Sequence, residues 1–237
     1  MKNSKVQILT CAYTNYYIMK KIIAIILIVF TSLFSQAQSR LEWGVKAGWN
    51  ISYPIEANKP SFGFNVGISG QFNFSNMWFL DAGLRINYKP WHVRYTYGKD
   101  NSWNQTTLTE NYSANPFILE LPIHIGANFN ISSSTKIFLA VGPYVGTGLF
   151  GKTKVNLYST TSTGNVNDDT ENYHIYGDNP YASKRFEIGV DASVGVEICN
   201  HYRISADYLF QLNNPAANLA CPIGRSQVFS INFGYKF

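Results

Sequence analysis

Glu120 and His124 stand four residues apart in the stretch LELPIHIGANF, an acid and an imidazole that strict alternation places on one side of the chain. Such a pair can relay a proton or hold a small polar ligand. Other residues invite other chemistry. The histidines are His92, His124, His174 and His201, and serines are abundant. A Ser–His pair near a membrane surface would suit an enzyme that cleaves or transfers lipid acyl chains, but no motif fixes one. In GNVNDDTENYHIYGDNP, Asn165, Asn167 and Asp169 have the alternate spacing of a calcium loop. Thr170 stands where that loop needs glycine, and the distal glutamate is missing at the required offset. No metal or cofactor is expected.

The elements that must position these residues are strands. Eight segments alternate with a period of two: LEWGVKAGWNIS, SFGFNVGISGQFNF, MWFLDAGLRINY, NPFILELPIHIGANF, TKIFLAVGPYVGTGLF, KRFEIGVDASVGVEI, HYRISADYLFQL and the terminal FSINFGYKF. Each has one face of large hydrophobes and one of small or polar residues. A soluble ligand-carrying barrel would put the apolar face inside. Here aromatics gather at strand ends: Trp43, Trp78, Phe129 and Tyr202 toward one rim, Trp49, Tyr88, Phe117, Phe186 and Phe229 toward the other. Two aromatic girdles flanking an apolar band are what a lipid-facing exterior requires. The reading is an all-β, eight-stranded antiparallel up-and-down transmembrane β-barrel.

Connections support it. The second and third, fourth and fifth, and sixth and seventh segments are joined by tight links, whereas the other connections are long, the extremes being residues 91–115 and 151–183. Short turns on one side and long loops on the other are the membrane-barrel pattern, with an even strand count placing both termini in the periplasm. The 151–183 connection reads as a solvated loop, with a partner-binding surface as the sharper alternative. Pro122 and Pro143 each remove a ladder donor, so a bulge or kink is expected near each.

The inward face carries Glu42, Asp81, Glu120, Glu187, Asp191, Glu197 and Asp207 against Lys46, Arg85, Lys136, Arg185, Arg203 and Lys236. An eight-stranded barrel is only just wide enough for side chains to fill it, so a general porin is unexpected. Near balance of charge points to ion pairs packing the lumen, because an unpaired charge is costly there. The expected polar network comprises Lys46, Asp81, Arg85, Glu120, His124, Glu187, Asp191, Arg203 and Asp207. A proton path or small polar-ligand site around Glu120 and His124 is the functional alternative.

Residues 1–37 read as an upstream extension and a secretory signal peptide. Lys20 and Lys21 follow Met19, an apolar centre runs from Ile22 to Phe30, and Ser35 and Ala37 occupy the small positions before cleavage. That run is too short to span a bilayer, which takes roughly 20 residues. The mature chain would begin near Gln38, and residues 38–237 form the barrel domain. The whole sequence has 19 Lys+Arg and 14 Asp+Glu. Cleavage removes Lys2, Lys5, Lys20 and Lys21 and no acid, leaving a net charge near +1, so nucleic acid is not an expected partner. Cys199 and Cys221 remain and are expected too far apart to pair. Aromatics are 16% of the chain and charged residues 14%. Ordinary soluble domains carry about 25% charged residues.

On LELPIHIGANF, VGPYVGTGLF, FEIGVDASVGVEI and FSINFGYKF, in that order, the chain resembles the outer-membrane β-barrel family common in the Gram-negative Bacteroidetes, called PorT-like. The resemblance covers nearly everything after the leader. It implies an outer-membrane location, lipid as surroundings, the β-barrel assembly machinery as a partner in biogenesis, and possible envelope protein partners in secretion. It also implies that Phe233, Tyr235 and terminal Phe237 serve as the assembly signal. No residue carries over as catalytic. The expected role is non-enzymatic, structural or interactive, with a lipid-modifying enzyme and a narrow ion or solute channel as alternatives.

Overall fold

The computed structural model describes residues 41–55, 59–101, 104–161, 166–217 and 224–237. The expected signal peptide (residues 1–37), Asn165 and Cys221 lie outside them. Within them the chain forms β1 (Leu41–Ser52), β2 (Ser61–Asn73), β3 (Trp78–Tyr88), β4 (Trp91–Asn101), β5 (Asn104–Ala114), β6 (Phe117–Asn130), β7 (Thr135–Phe150), β8 (Lys152–Thr161), β9 (Val166–His174), β10 (Phe186–Ile198), β11 (Tyr202–Gln211) and β12 (Gln227–Lys236).

The eight alternating segments are β1, β2, β3, β6, β7, β10, β11 and β12, and they close into one antiparallel barrel. The terminal FSINFGYKF strand seals it. Ile51 lies opposite Phe229, Ala47 opposite Phe233 and Val45 opposite Tyr235. Closure matters because hydrocarbon offers no partner to an unpaired backbone amide. Large side chains point outward, Phe62 being 75% exposed and Trp49 69%, while Asn50, Asn65, Gln71, Asp191 and Asn232 are buried within. This inversion of the soluble arrangement is the signature of a lipid-facing wall.

Tight turns at Phe74–Met77, Ile131–Ser134 and Cys199–His201 share one end of the barrel with the beginning of β1 and the end of β12. In the last turn Cys199 and Asn200 have φ of 54° and 57°, and His201 N donates to Ile198 O at 3.2 Å. Two consecutive left-handed residues make the turn that follows the strands' twist.

The prolines interrupt pairing, as expected of a lost donor, but do not shift its register. The β6–β7 register is shifted at Phe117/Ile118 and runs unshifted past Pro122. Pro143 pairs with Val190 in a continuous β7–β10 ladder. Neither proline produces a bulge. Pairing is nevertheless interrupted at both: the β3–β6 ladder skips from Ala82↔Ile123 to Arg85↔Glu120 beside Pro122, and the β6–β7 ladder skips from Pro122↔Tyr144 to Ile125↔Val141 beside Pro143. Next to that break a Cβ on Gly142 would lie 1.9 Å from Ile123 O, so only glycine fits there.

The two longest connections are not loops. They hold β4 and β5, and β8 and β9, which join in a second antiparallel sheet of order β4-β5-β8-β9 at the barrel's loop end. One face packs Trp91, Val93, Tyr112, Ala114, Val155 and Ile175, with Tyr95, Leu157, Tyr173, Tyr176 and Tyr181 around them. Asn167 and Asp169 of the calcium-like spacing lie on β9, an extended strand, and among the described residues no acidic or histidine cluster could hold a metal.

Candidate functional site

Most of the inward-facing charges that alternation singles out converge in the barrel. Arg85 on β3 is the hub. Its Nε donates to Glu120 Oε2 at 2.7 Å, and its Nη2 donates to Asp191 Oδ2 at 2.8 Å. Its Nη1 lies 3.8 Å from Asp207 Oδ2. Lys89 continues the network toward the loop end, 3.0 Å from Glu120 and 2.6 Å from Glu187. Lys46 reaches Asp207 at 3.2 Å. Asp207 also accepts from Ser193, Ser205 and Asn232. These acids are buried, as are Arg85 and Lys89, while Lys46 is half-buried, so the guanidinium and ammonium groups offset the desolvation of several carboxylates at once.

Glu120 and His124 do not meet directly. Glu120 is engaged by both cations, whereas His124 lies 3.6 Å from Asp191 and 3.9 Å from Asp81. Among the described residues the link between them runs through Arg85 and Asp191. Arg203 belongs to a second cluster at the turn end. There Lys236 contacts Glu42 at 2.8 Å and Glu197 at 2.7 Å, and Glu197 also contacts Lys136 and Arg203. The Arg203 guanidinium sits 4.1 Å from the Phe138 ring centroid. Arg185 is not in the lumen. It is exposed, donates to the carbonyls of Gly148 and Leu149, and lies over Tyr176, because it precedes β10 where alternation no longer binds.

Lys89 was missed by the inward set although it continues the Asp81, Arg85, Asn87 series. It stands one residue past β3, and the preceding tyrosine reads as a rim residue that ends the strand. Tyr144, buried with its ring 5.8 Å from the Lys89 ammonium, was missed because tyrosine at an inward position has no charge to mark it.

Between the clusters a cavity of about 60 Å³ is lined by Lys46, Gln71, Asp81, His124, Arg203 and Asn232, among others. Asp81 Oδ2, His124 Nε2, Gln71 Oε1 and Asn232 Oδ1 are buried and make no hydrogen bond within the protein. A polar cavity of this size takes up water. A smaller one of about 20 Å³, bounded by Lys89, Trp91, Ile175 and Glu187, lies toward the loops and shares no lining residue with it. The fully buried Arg85–Glu120–Asp191 cluster stands between them.

On the outer face Trp43, Trp49, Trp78, Phe129, Tyr202 and Phe229 are exposed, as are Phe233, Tyr235 and Phe237. Tyr88 and Phe117 are half-buried against each other with ring centroids 4.8 Å apart. At the loop end, Ser61 Oγ lies 2.9 Å from His92 Nδ1. Ser61 is buried, however, and among the described residues no carboxylate orients the ring, so the pair lacks an accessible nucleophile and a second positioning bond. His174 ends β9 and His201 lies in a turn at the opposite end.

A family model described as "Outer membrane protein beta-barrel domain" matches residues 34–216. No curated protein sequence matches the chain. Among solved structures, the attachment invasion locus protein Ail of Yersinia pestis is similar at 14% identity and a TM-score of 0.37, over 84% of this chain and 99% of that one. Neisserial surface protein A is similar at 16% identity and a TM-score of 0.37, over 83% and 97%. OprG of Pseudomonas aeruginosa gives 11% and 0.39, over 83% and 95%.

Proposed function

The chain belongs to the outer membrane protein β-barrel domain family, and from that premise we propose a non-enzymatic barrel whose work is done by the sheet at its loop end. The observation that carries this reading is the ion-pair cluster closing the lumen. Arg85 is held by Glu120 and Asp191, and Lys89 by Glu120 and Glu187, with no side chain left free to swing aside without stranding a buried charge. A barrel closed in this way serves as a rigid mount. The four-stranded sheet it carries offers the surface, and long connections on rigid scaffolds are where recognition resides.

In this reading the turn end and both termini face the periplasm, the loop end faces outward, and the lipid band lies between the rings of Trp43 and Trp49. Phe233, Tyr235 and Phe237 act in assembly, and a role beside protein-secretion partners follows from the resemblance to PorT-like chains. The experiment is light crosslinking in native outer membrane, purification in mild detergent and mass spectrometry of what accompanies the barrel. A stoichiometric set of envelope proteins supports the interaction role. A barrel that returns alone with lipid, and conducts steadily in planar bilayers, overturns it.

A further inference from the structure

We infer that the polar face of the loop-end sheet binds an anionic saccharide, an oligosaccharide bearing phosphate or sulfate groups; this rests on the reading that the loop end is the outward interaction surface. Strand register builds the face. His92, Ser113, Lys154 and Asn172 form one cross-strand row, and Arg94, Asn111, Asn156 and Thr170 form the next. The β1–β2 connection closes one side by bridging Lys59 to His92. The result is a cleft of about 860 Å³, within the usual range of about 300–1,000 Å³ for a small-ligand site.

Charge is sorted between the two faces. Lys59, His92, Arg94 and Lys154 line the cleft, and no described carboxylate does. The same register places Glu110, Asp169 and Glu171 on the opposite, tyrosine-rich face. Asp168 holds the register position beside Tyr158, at the outer edge of the cleft face. Cations therefore concentrate at the base of the cleft and polar neutral groups above them.

The side chains there are set for a sugar as well as an anion. Arg94 Nε donates to Asn111 Oδ1 at 2.6 Å, which orients the guanidinium. Thr170 Oγ1 donates to Asn156 Oδ1 at 3.0 Å, which aligns that amide with its NH₂ group available as a donor. The Ser61 hydroxyl fixes the His92 ring. Ammonium and guanidinium groups match sulfate or phosphate oxygens. Asn111, Ser113 and Thr96 suit sugar hydroxyls, and the ring of Tyr158 gives a pyranose an apolar face to lie on. The anionic group would sit over Lys59 and Lys154, with the rest of the saccharide running toward Tyr158.

The test uses the mature chain in nanodiscs of neutral phospholipid, with calorimetric titration of a dextran sulfate oligosaccharide, the unsulfated dextran of equal length, and inorganic sulfate. Folding of each variant is verified by the mobility of the unheated protein in electrophoresis. Dextran sulfate is expected to bind about tenfold or more tightly than either comparison ligand. Lys59→Gln with Lys154→Gln is expected to weaken it about tenfold, and Lys184→Gln, outside the cleft, to leave it unchanged. Folded Lys59→Gln/Lys154→Gln protein that binds like the parent overturns the inference, as does inorganic sulfate binding as tightly as the sulfated saccharide. Repeating the titration in discs containing lipopolysaccharide identifies the source. Suppressed binding of the probe assigns the cleft to the membrane's own glycolipid, and undiminished binding assigns it to a free saccharide; each supports the site. Absent saccharide binding alongside captured envelope partners removes this inference alone.

Discussion

Arg85 and Asp191, 106 positions apart in the chain, meet across the barrel lumen with Nη2 2.8 Å from Oδ2, and the same guanidinium holds Glu120 from a neighbouring strand. This contact ties β3 to β10, strands that are not hydrogen-bonded neighbours in the barrel.

Arg85→Met leaves Asp191 without its cation and Glu120 with Lys89 alone, and removing one partner of a buried ion pair costs about 3–5 kcal/mol. Adding Glu120→Gln and Asp191→Asn is expected to recover part of the loss, because the two carboxylates that faced Arg85 are then neutral while Lys89 keeps Glu187. Urea unfolding in lipid vesicles, followed by tryptophan fluorescence, measures both. Equal destabilisation of the single and triple variants would show that packing, and not charge, holds the lumen closed.

Two glycines should respond oppositely to alanine. Gly142→Ala drives a methyl into Ile123 O, so the yield of folded barrel is expected to collapse, whereas a Cβ on Gly98 meets nothing within 4 Å. Gly98→Ala should fold like the parent. Refolding yield into detergent micelles reports the difference.

Cys199 occupies a left-handed backbone position, which costs a non-glycine residue roughly 1–2 kcal/mol. Cys199→Gly is expected to stabilise the barrel by about 1 kcal/mol, as a higher urea midpoint at unchanged slope. An unchanged midpoint would mean the turn contributes nothing beyond connecting β10 to β11.

The loop-end sheet should be alkali-sensitive. Burial, reinforced by a hydrogen bond to Glu110, holds the Tyr112 phenol above the ordinary phenol range, and burial next to Glu187 does the same for Tyr176. The bond to Glu171 pushes Tyr173 up to about 12. A raised phenol pKa means the unfolded chain ionises first. Native stability is therefore undiminished below the ordinary phenol value of about pH 10 and falls as pH rises above it. Phenolate absorbance against pH, with Tyr112→Phe flattening the decline, is the check.

A charge on the outer wall should cost more than one in the polar lumen. Val141 is exposed on the outer face midway along β7. Val141→Arg is expected to destabilise by about 2–4 kcal/mol, the figure for a cation at the bilayer midplane. A negligible effect in vesicles would remove β7 from the lipid-facing wall.

The barrel was legible because a lipid-exposed wall enforces alternation over ten residues or more, and TKIFLAVGPYVGTGLF or FSINFGYKF can be read no other way. The outer sheet was not. NQTTLTENYSA and VNDDTENYH form β5 and β9 with few apolar residues, because water faces much of their surface and hydrogen-bonded ladders do the rest. Their strandedness lies in pairing, which a single segment does not display. The lumen network was legible as a set of charges but not as two clusters. Which acid meets Arg85 depends on the order of strands around the barrel and on side-chain reach, and the bulge at Phe117/Ile118 likewise left no mark in composition.

The loop-end sheet also bears on how the molecule stays where it is put. Its strands arise as two hairpins, one between β3 and β6 and one between β7 and β10, and the β5–β8 ladder joins their edges. Each hairpin can cross a bilayer as separate extended chain, but the joined sheet is wider than a hairpin and carries Arg94, Lys154 and Glu171 at its surface. It works as a toggle bolt does. In the orientation proposed above the β5–β8 ladder forms on the far side, and drawing the barrel back would require undoing that ladder first, which adds a kinetic element to retention by hydrophobic burial.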